Sequence, residues 1–178
     1  FDRQDLVSPG QKHTTNTRCV GQGERGQVVP CTDALLTTED GVPLLLRYAD
    51  CTPVLLYDPV HKAIGLVHSG WRGTVQGAAA VAVHEMAEQF GSRPGDIVAG
   101  IGPSIGPCCY EIGDEVVAAV RNGFAAPDRL LPPGKGSRRH FDLWAANRQW
   151  LSEAGVRSME AAEICTACHS HEFSSYRA

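Results

Sequence analysis

Between Val28 and Ser69 the apolar and β-branched residues fall into short runs. Val28 to Leu36, Leu44 to Tyr48, Val54 to Tyr57 and Ala63 to Val67 read as strands. Glu39-Asp40-Gly41, Cys51-Thr52-Pro53 and Asp58-Pro59 supply the turns between them. The period then changes. From Thr74 to Phe90 the apolar positions Val75, Ala79, Val83, Met86 and Phe90 follow helical spacing, stopped by Gly91 and Pro94. Ile97 to Ile101 is a short buried strand. Asp114 to Phe124 is a helix with acids in its first turn, where the helix dipole favours them. Residues 125–140, rich in Pro, Gly and bases, read as an exposed loop. Leu143 to Ala154 is an amphipathic helix closed by Gly155, and Met159 to Cys165 a last strand. Residues 1–26 are polar and loop-rich. Strands and helices mix without βαβ alternation, which predicts an α+β fold of mixed sheets with flanking helices.

At 178 residues the chain suits a single domain spanning 1–178, within the usual ~100–200 residues. A net charge of −4 and a pI near 6.0 argue against a protein held to nucleic acid by bulk charge. No apolar run approaches the ~20 residues of a membrane span, and no signal peptide is evident in Phe1-Asp2-Arg3-Gln4-Asp5. The chain opens without Met, as a fragment or trimmed chain would. Its seven cysteines are an odd number in a chain that needs no staples. This fits free thiols in a reducing cytoplasm better than a secreted disulfide scaffold.

Chemistry concentrates in a few strings. His68-Ser69-Gly70-Trp71-Arg72-Gly73 joins a strand to the long helix. Its glycines allow close backbone approach, and the helix start after Gly73 offers free N–H groups to an anion. Arg72 adds a planar fork matched to phosphate or carboxylate; a purely structural turn reads equally well. In Ala49-Asp50-Cys51-Thr52-Pro53, Cys51 reads as a ligand or nucleophile beside an acid, or as a packed thiol. His13, in a polar loop, reads as a solvated surface histidine or as the third member of a His13–Cys51–His68 set, since neighbouring strands can close the 17 residues from Cys51 to His68. Three protein ligands and an open position are the catalytic zinc pattern.

Cys165-Thr166-Ala167-Cys168-His169 matches a haem attachment string. It follows a β-rich body near the end of the chain, which speaks against haem. As half of a four-cysteine zinc site it lacks a second Cys-x-x-Cys, so it reads as a terminal segment with two thiols. His169 and His171 are candidates for adventitious metal. In the Gly/Pro loop Gly102–Glu111, the vicinal Cys108-Cys109 is reactive or packed. His61, His84 and His140 read as solvated.

Taken together, Ala49–Pro53, Val67–Gly73, Gly102–Pro107 with Cys109-Tyr110-Glu111, Cys165-Thr166 and Phe173–Arg177 resemble the laccase-domain family. That family is described both as multicopper polyphenol oxidoreductases and as zinc-dependent purine nucleoside phosphorylases. The resemblance implies a cysteine-hydrolase-like α+β architecture and metal ligands at His13, Cys51 and His68. His13 lies in Gln11-Lys12-His13-Thr14, where the family has Gln-Val-His-Gly, so only Gln and His match. It further implies a phosphate or substrate contact at Arg72; with a metal so held, Asp50 beside Cys51 is expected to orient His13 or His68. Members carry a further N-terminal stretch lining the pocket, which this sequence is expected to lack, and the tail here reads Ser175-Tyr176-Arg177-Ala178.

The implied activity is phosphorolysis of adenosine, inosine or methylthioadenosine, with adenosine deamination beside it. The zinc deaminase signature itself is absent. A small nucleoside and phosphate are then the expected partners, with a homodimer as the candidate assembly and without nucleic acid or membrane. A copper polyphenol oxidase is the alternative, thin in ligands because blue-copper sites want an axial Met and Met86 reads as helix core. A degenerate, non-catalytic domain and a metal-free Cys51–His68 hydrolase complete the readings.

Overall fold

The computed structural model describes residues 2–134 and 138–178. In chain order its elements are β1 (Ser8–Pro9), β2 (Thr17–Cys19), β3 (Val28–Val29), β4 (Ala34–Thr37), β5 (Thr52–Asp58), β6 (Ala63–Ser69), α1 (Trp71–Val75), α2 (Ala78–Phe90), β7 (Val98–Ile101), β8 (Glu111–Ile112), α3 (Asp114–Gly123), β9 (Arg139–His140), α4 (Leu143–Glu153) and β10 (Ser158–Ala161). Six strands form one mixed sheet in the order β10-β7-β5-β6-β4-β2. The central pairs β4–β6, β5–β6 and β5–β7 are antiparallel, and the outer pairs β10–β7 and β2–β4 are parallel. This is one α+β domain, as the patterning predicts.

The sheet's packing follows from alternation. Along β5, Val54, Leu56 and Asp58 point into the core while Leu55 and Tyr57 remain 47% and 46% exposed. The inward set packs under α2 and α4 through Ala79, Val83, Met86 and Leu151. Gly65 in β6 leaves room for Leu36, since a Cβ there would fall 2.6 Å from Leu36 Cδ2. A second core gathers Val120 of α3, Phe141, Leu143 and Ala146 around Tyr110 and Ile112. A third binds Val7 and Val20 of the N-terminal region to Leu35, Val42 and Leu46.

Several expected elements differ. The run Val28–Leu36 is two strands, because Pro30 and Cys31, the latter at φ 49°, turn the chain between them. Leu44–Tyr48 is no strand beyond a bridge from Leu44 to Val7. It packs by its side chains instead, and Arg47 bonds to Gln11. The long helix starts at Trp71 rather than after Gly73, and breaks at Gly77, whose φ of 77° is left-handed. The last strand ends at Ala161, short of Cys165. The loop expected over 125–140 contains a 3₁₀ turn, Pro127–Arg129, and β9; residues 135–137 of it lie outside the described residues. Of the histidines read as solvated, His84 is exposed. His61 is exposed as well, while pairing with buried Asp58 at 2.7 Å; His140 is instead half-buried and bonds to the Pro107 carbonyl. No helix among the described residues is long and apolar enough to cross a membrane.

Candidate metal centre

Antiparallel pairing of β5 and β6 sets Pro53 opposite His68. Cys51, just before β5, and His68, at the end of β6, thus arrive at the same edge. A polar loop brings His13 to them, with its imidazole 4.9 Å from that of His68 at 72°. The donor atoms of His13, Cys51 and His68 all lie within 4.8 Å of one another. His68 is buried, Cys51 half-buried and His13 exposed, so the set opens to solvent on one side.

Asp33 organises this arrangement, and the sequence reading missed it. Its buried carboxylate accepts the backbone N–H of Lys12, His13 and Thr14, the Thr14 hydroxyl, and the His68 Nδ1–H at 2.9 Å. One side chain therefore shapes the loop that carries His13, at φ 61°, and fixes the His68 ring so that Nε2 faces the other donors. Burial raises the Asp33 carboxyl, but bonds from Thr14, His68 and Lys12 outweigh it and hold the group below the usual range. The local signal was an acid directly before β4, which looks like any turn residue until the fold is known.

Asp50 takes a different role from the orienter expected of it. At φ 73°, its carboxylate accepts from Thr166 Oγ1 and Tyr176 N, both at 2.7 Å, tying the C-terminal segment to the site. Arg72 also stands apart. Its guanidinium lies 4.3 Å over the Trp71 ring and 3.8 Å from Glu115, outside the cleft lining. That cleft, of about 730 Å³, is walled by Gln11, Arg47, Tyr48 and Ser174–Tyr176 around the three donors.

The donor set fits a metal ion. Burial, reinforced by the Asp50 and Asp33 carboxylates, pushes the Cys51 thiol up to about 11. Without a cation it stays protonated at neutral pH, which disfavours a free thiolate nucleophile and leaves it a ligand that ionises on metal binding. Burial holds His68 below its ordinary value despite Asp33, so its imidazole is neutral, as coordination needs. Space is reserved at Gly70, where a Cβ would fall 2.9 Å from both Cys51 Sγ and His13 Cδ2. No methionine lines the cleft, and Met86 is fully buried in the core.

Four further donors converge elsewhere. Cys108, Cys109, Cys165 and Cys168, read from sequence as two unrelated pairs, have sulfurs within 4.8 Å of one another. The exposed His169, His171 and Glu172 form a third, superficial group.

The chain is similar to several known proteins. A purine nucleoside phosphorylase of Bacteroides thetaiotaomicron is 40% identical over 98% of this chain and 68% of its own length. A protein from an unknown prokaryote named adenosine deaminase RL5 is 35% identical over 99% of this chain and 71% of its own. The crystal structure of Bacillus licheniformis hypothetical protein YfiH superposes with a TM-score of 0.94 at 36% identity, covering 99% of this chain and 70% of that one. The chain thus spans about two thirds of the length of the curated relatives it matches. With the family model for multi-copper polyphenol oxidoreductase laccase matching residues 1–178 in full, and a Cys/His donor set in its cleft, the chain belongs to that family.

Proposed function

We propose that this chain carries a zinc-dependent nucleoside phosphorylase centre. It cleaves the glycosidic bond of adenosine, inosine or methylthioadenosine with phosphate, releasing the purine and a sugar 1-phosphate, with adenosine deamination as a secondary reaction. The observation that carries this reading is the cleft itself: one thiol and two imidazoles converge at its floor, two of them ordered by one buried carboxylate. Relatives named purine nucleoside phosphorylase and adenosine deaminase support the substrate class.

His13, Cys51 and His68 would hold a zinc ion, which would supply Lewis acidity to activate phosphate, water or nucleoside. The chain's own residues do the rest. Asp33 holds the His68 tautomer and the His13 loop. Gln11 clamps the Arg47 peptide from both sides, keeping that wall in place. Arg47 lines the cleft and serves as the phosphate contact; Arg72 joins it only by leaving the Trp71 ring. Ser174, Ser175 and Tyr176 offer hydroxyls and an aromatic face to the sugar and base, and Asp50 positions them.

The test is chromatography of adenosine or inosine incubated with the zinc-loaded chain, with and without phosphate. Phosphate-dependent release of free base, lost in Cys51→Ala and His68→Ala, is expected. Conversion of adenosine to inosine without phosphate would make deamination the main reaction. Phenol oxidation by the copper-loaded chain without nucleoside turnover would replace this reading with the oxidase, and no turnover with either metal would leave a non-catalytic domain.

A further inference from the structure

We propose that Cys108, Cys109, Cys165 and Cys168 form a second metal site, a tetrathiolate that holds one zinc ion and staples the C-terminal segment to the loop between β7 and β8. Nothing in this depends on the reaction assigned to the cleft.

Topology brings these sulfurs together across 60 residues of sequence. Ser104 and Cys165 pair as an isolated parallel bridge, with Ser104 N–H donating to Ile164 O and Thr166 N–H to Ser104 O. This sets the vicinal pair in the loop against the Cys-x-x-Cys turn. Cys168 Sγ lies 3.5 Å from Cys109 Sγ and 3.7 Å from Cys108 Sγ. A tetrahedral zinc with Zn–S bonds of ~2.3 Å has sulfurs about 3.8 Å apart along each edge. The observed spacings match that edge, and the 4.8 Å limit on the whole set suits a single ion better than a multi-iron cluster, which spreads its thiolates wider. Each thiol gives its proton to solvent on binding. The Gly106 N–H already points at Cys165 Sγ from 3.2 Å, a donor that stabilises a thiolate there.

The fold gives this staple a purpose. Beyond Thr166 no residue of the segment is buried, so apolar packing alone holds it poorly. Yet Ser174, Ser175 and Tyr176 form one wall of the cleft. A metal at the root of the segment fixes that wall without a larger core.

Two measurements on the full chain test the proposal. The first is metal content by native mass spectrometry. Two zinc ions per chain are expected, one remaining in Cys51→Ala/His68→Ala and one lost in Cys168→Ser. In the Cys51→Ala/His68→Ala chain loaded with cobalt, strong sulfur-to-cobalt charge transfer must then come from the four cysteines. An unchanged zinc count in Cys168→Ser overturns the site. The second needs no variant and survives any misfolding of one. In the zinc-loaded chain, Cys108 and Cys168, though exposed, should alkylate at least about tenfold more slowly than after chelation. Cys19 and Cys31, also exposed, should not change. Equal rates before and after chelation, or a disulfide among the four in place of metal, refute the proposal.

Discussion

Replacing Gly70 by alanine tests the metal centre with one methyl group. Gly70 precedes α1 at φ −71° and ψ 173°, a conformation alanine adopts freely, so the backbone is not strained. The added Cβ would meet Cys51 Sγ and His13 Cδ2 at 2.9 Å each. Nonbonded contacts of this kind settle near 3.5–4.0 Å, so the two ligands must part by roughly 0.6–1 Å. A site of this kind tolerates displacements of about 0.5 Å, and misplacement near 1 Å costs on the order of 100-fold in rate, about 2.7 kcal/mol. The assay is kcat/KM for phosphorolysis, with zinc affinity by chelator competition and Tm on the same preparations. Gly113→Ala is the control: it also precedes a helix, and its Cβ meets nothing within 4 Å. The expected result is about a 100-fold loss of kcat/KM and weaker zinc binding in Gly70→Ala, with little change in Tm and none of these effects in Gly113→Ala. Activity and zinc affinity within threefold of the parent would refute the assignment of the cleft's floor to Cys51 and His13.

Asp33→Asn keeps the side-chain shape but loses the charge that gathers three backbone N–H groups and the His68 ring, so zinc affinity should fall about 10–100-fold; unchanged affinity in chelator competition would remove Asp33 from its organising role. At Asp58, burial raises the carboxyl, but the His61 ring and the backbone N–H groups of Val60 and His61 pull it down to about 2. Its contribution of about 2 kcal/mol is present above the unfolded value near 3.9 and is lost as pH falls toward 2. Asp58→Asn should therefore flatten the decline of Tm between pH 4 and 2, and an equally steep decline in the variant would count against the assignment. Gly65→Ala drives a Cβ to 2.6 Å from Leu36 Cδ2, and should cost about 1–3 kcal/mol by overpacking. Leu36→Ala alone should cost about 2–5 kcal/mol. Combined, the two should cost less than their sum in denaturant unfolding, and strict additivity would show that they do not share this space.

How much of this was legible without the fold depends on the distance over which each feature is decided. The strand runs Val54–Tyr57 and Ala63–Val67 and the glycine stop at Gly91 are local and appear where the sequence placed them; the helical period read over Thr74–Phe90 also holds, but the helix starts at Trp71 and breaks at Gly77. Cys51 and His68 were legible as strand-end residues because a tight antiparallel connection leaves few registers, and the observed one faces Pro53 with His68. Leu44–Tyr48 misled because an apolar run can be buried by its side chains without pairing its backbone. Asp33 and Arg47 carry no local mark; what they touch is set by a loop 20 residues upstream or more. Asp50 looked like an orienter for being next to Cys51, but its left-handed backbone aims it at the tail. The cysteine pairs were each incomplete alone, and became a four-sulfur set only when the Ser104–Cys165 bridge joined segments 60 residues apart. Local periodicity follows from which faces of a strand or helix must leave water, and sequence determines that directly. A site assembled from loops and chain ends follows from which distant backbones pair, and only the closed tertiary structure decides that, because closing those loops costs entropy that the whole core, not the site, repays.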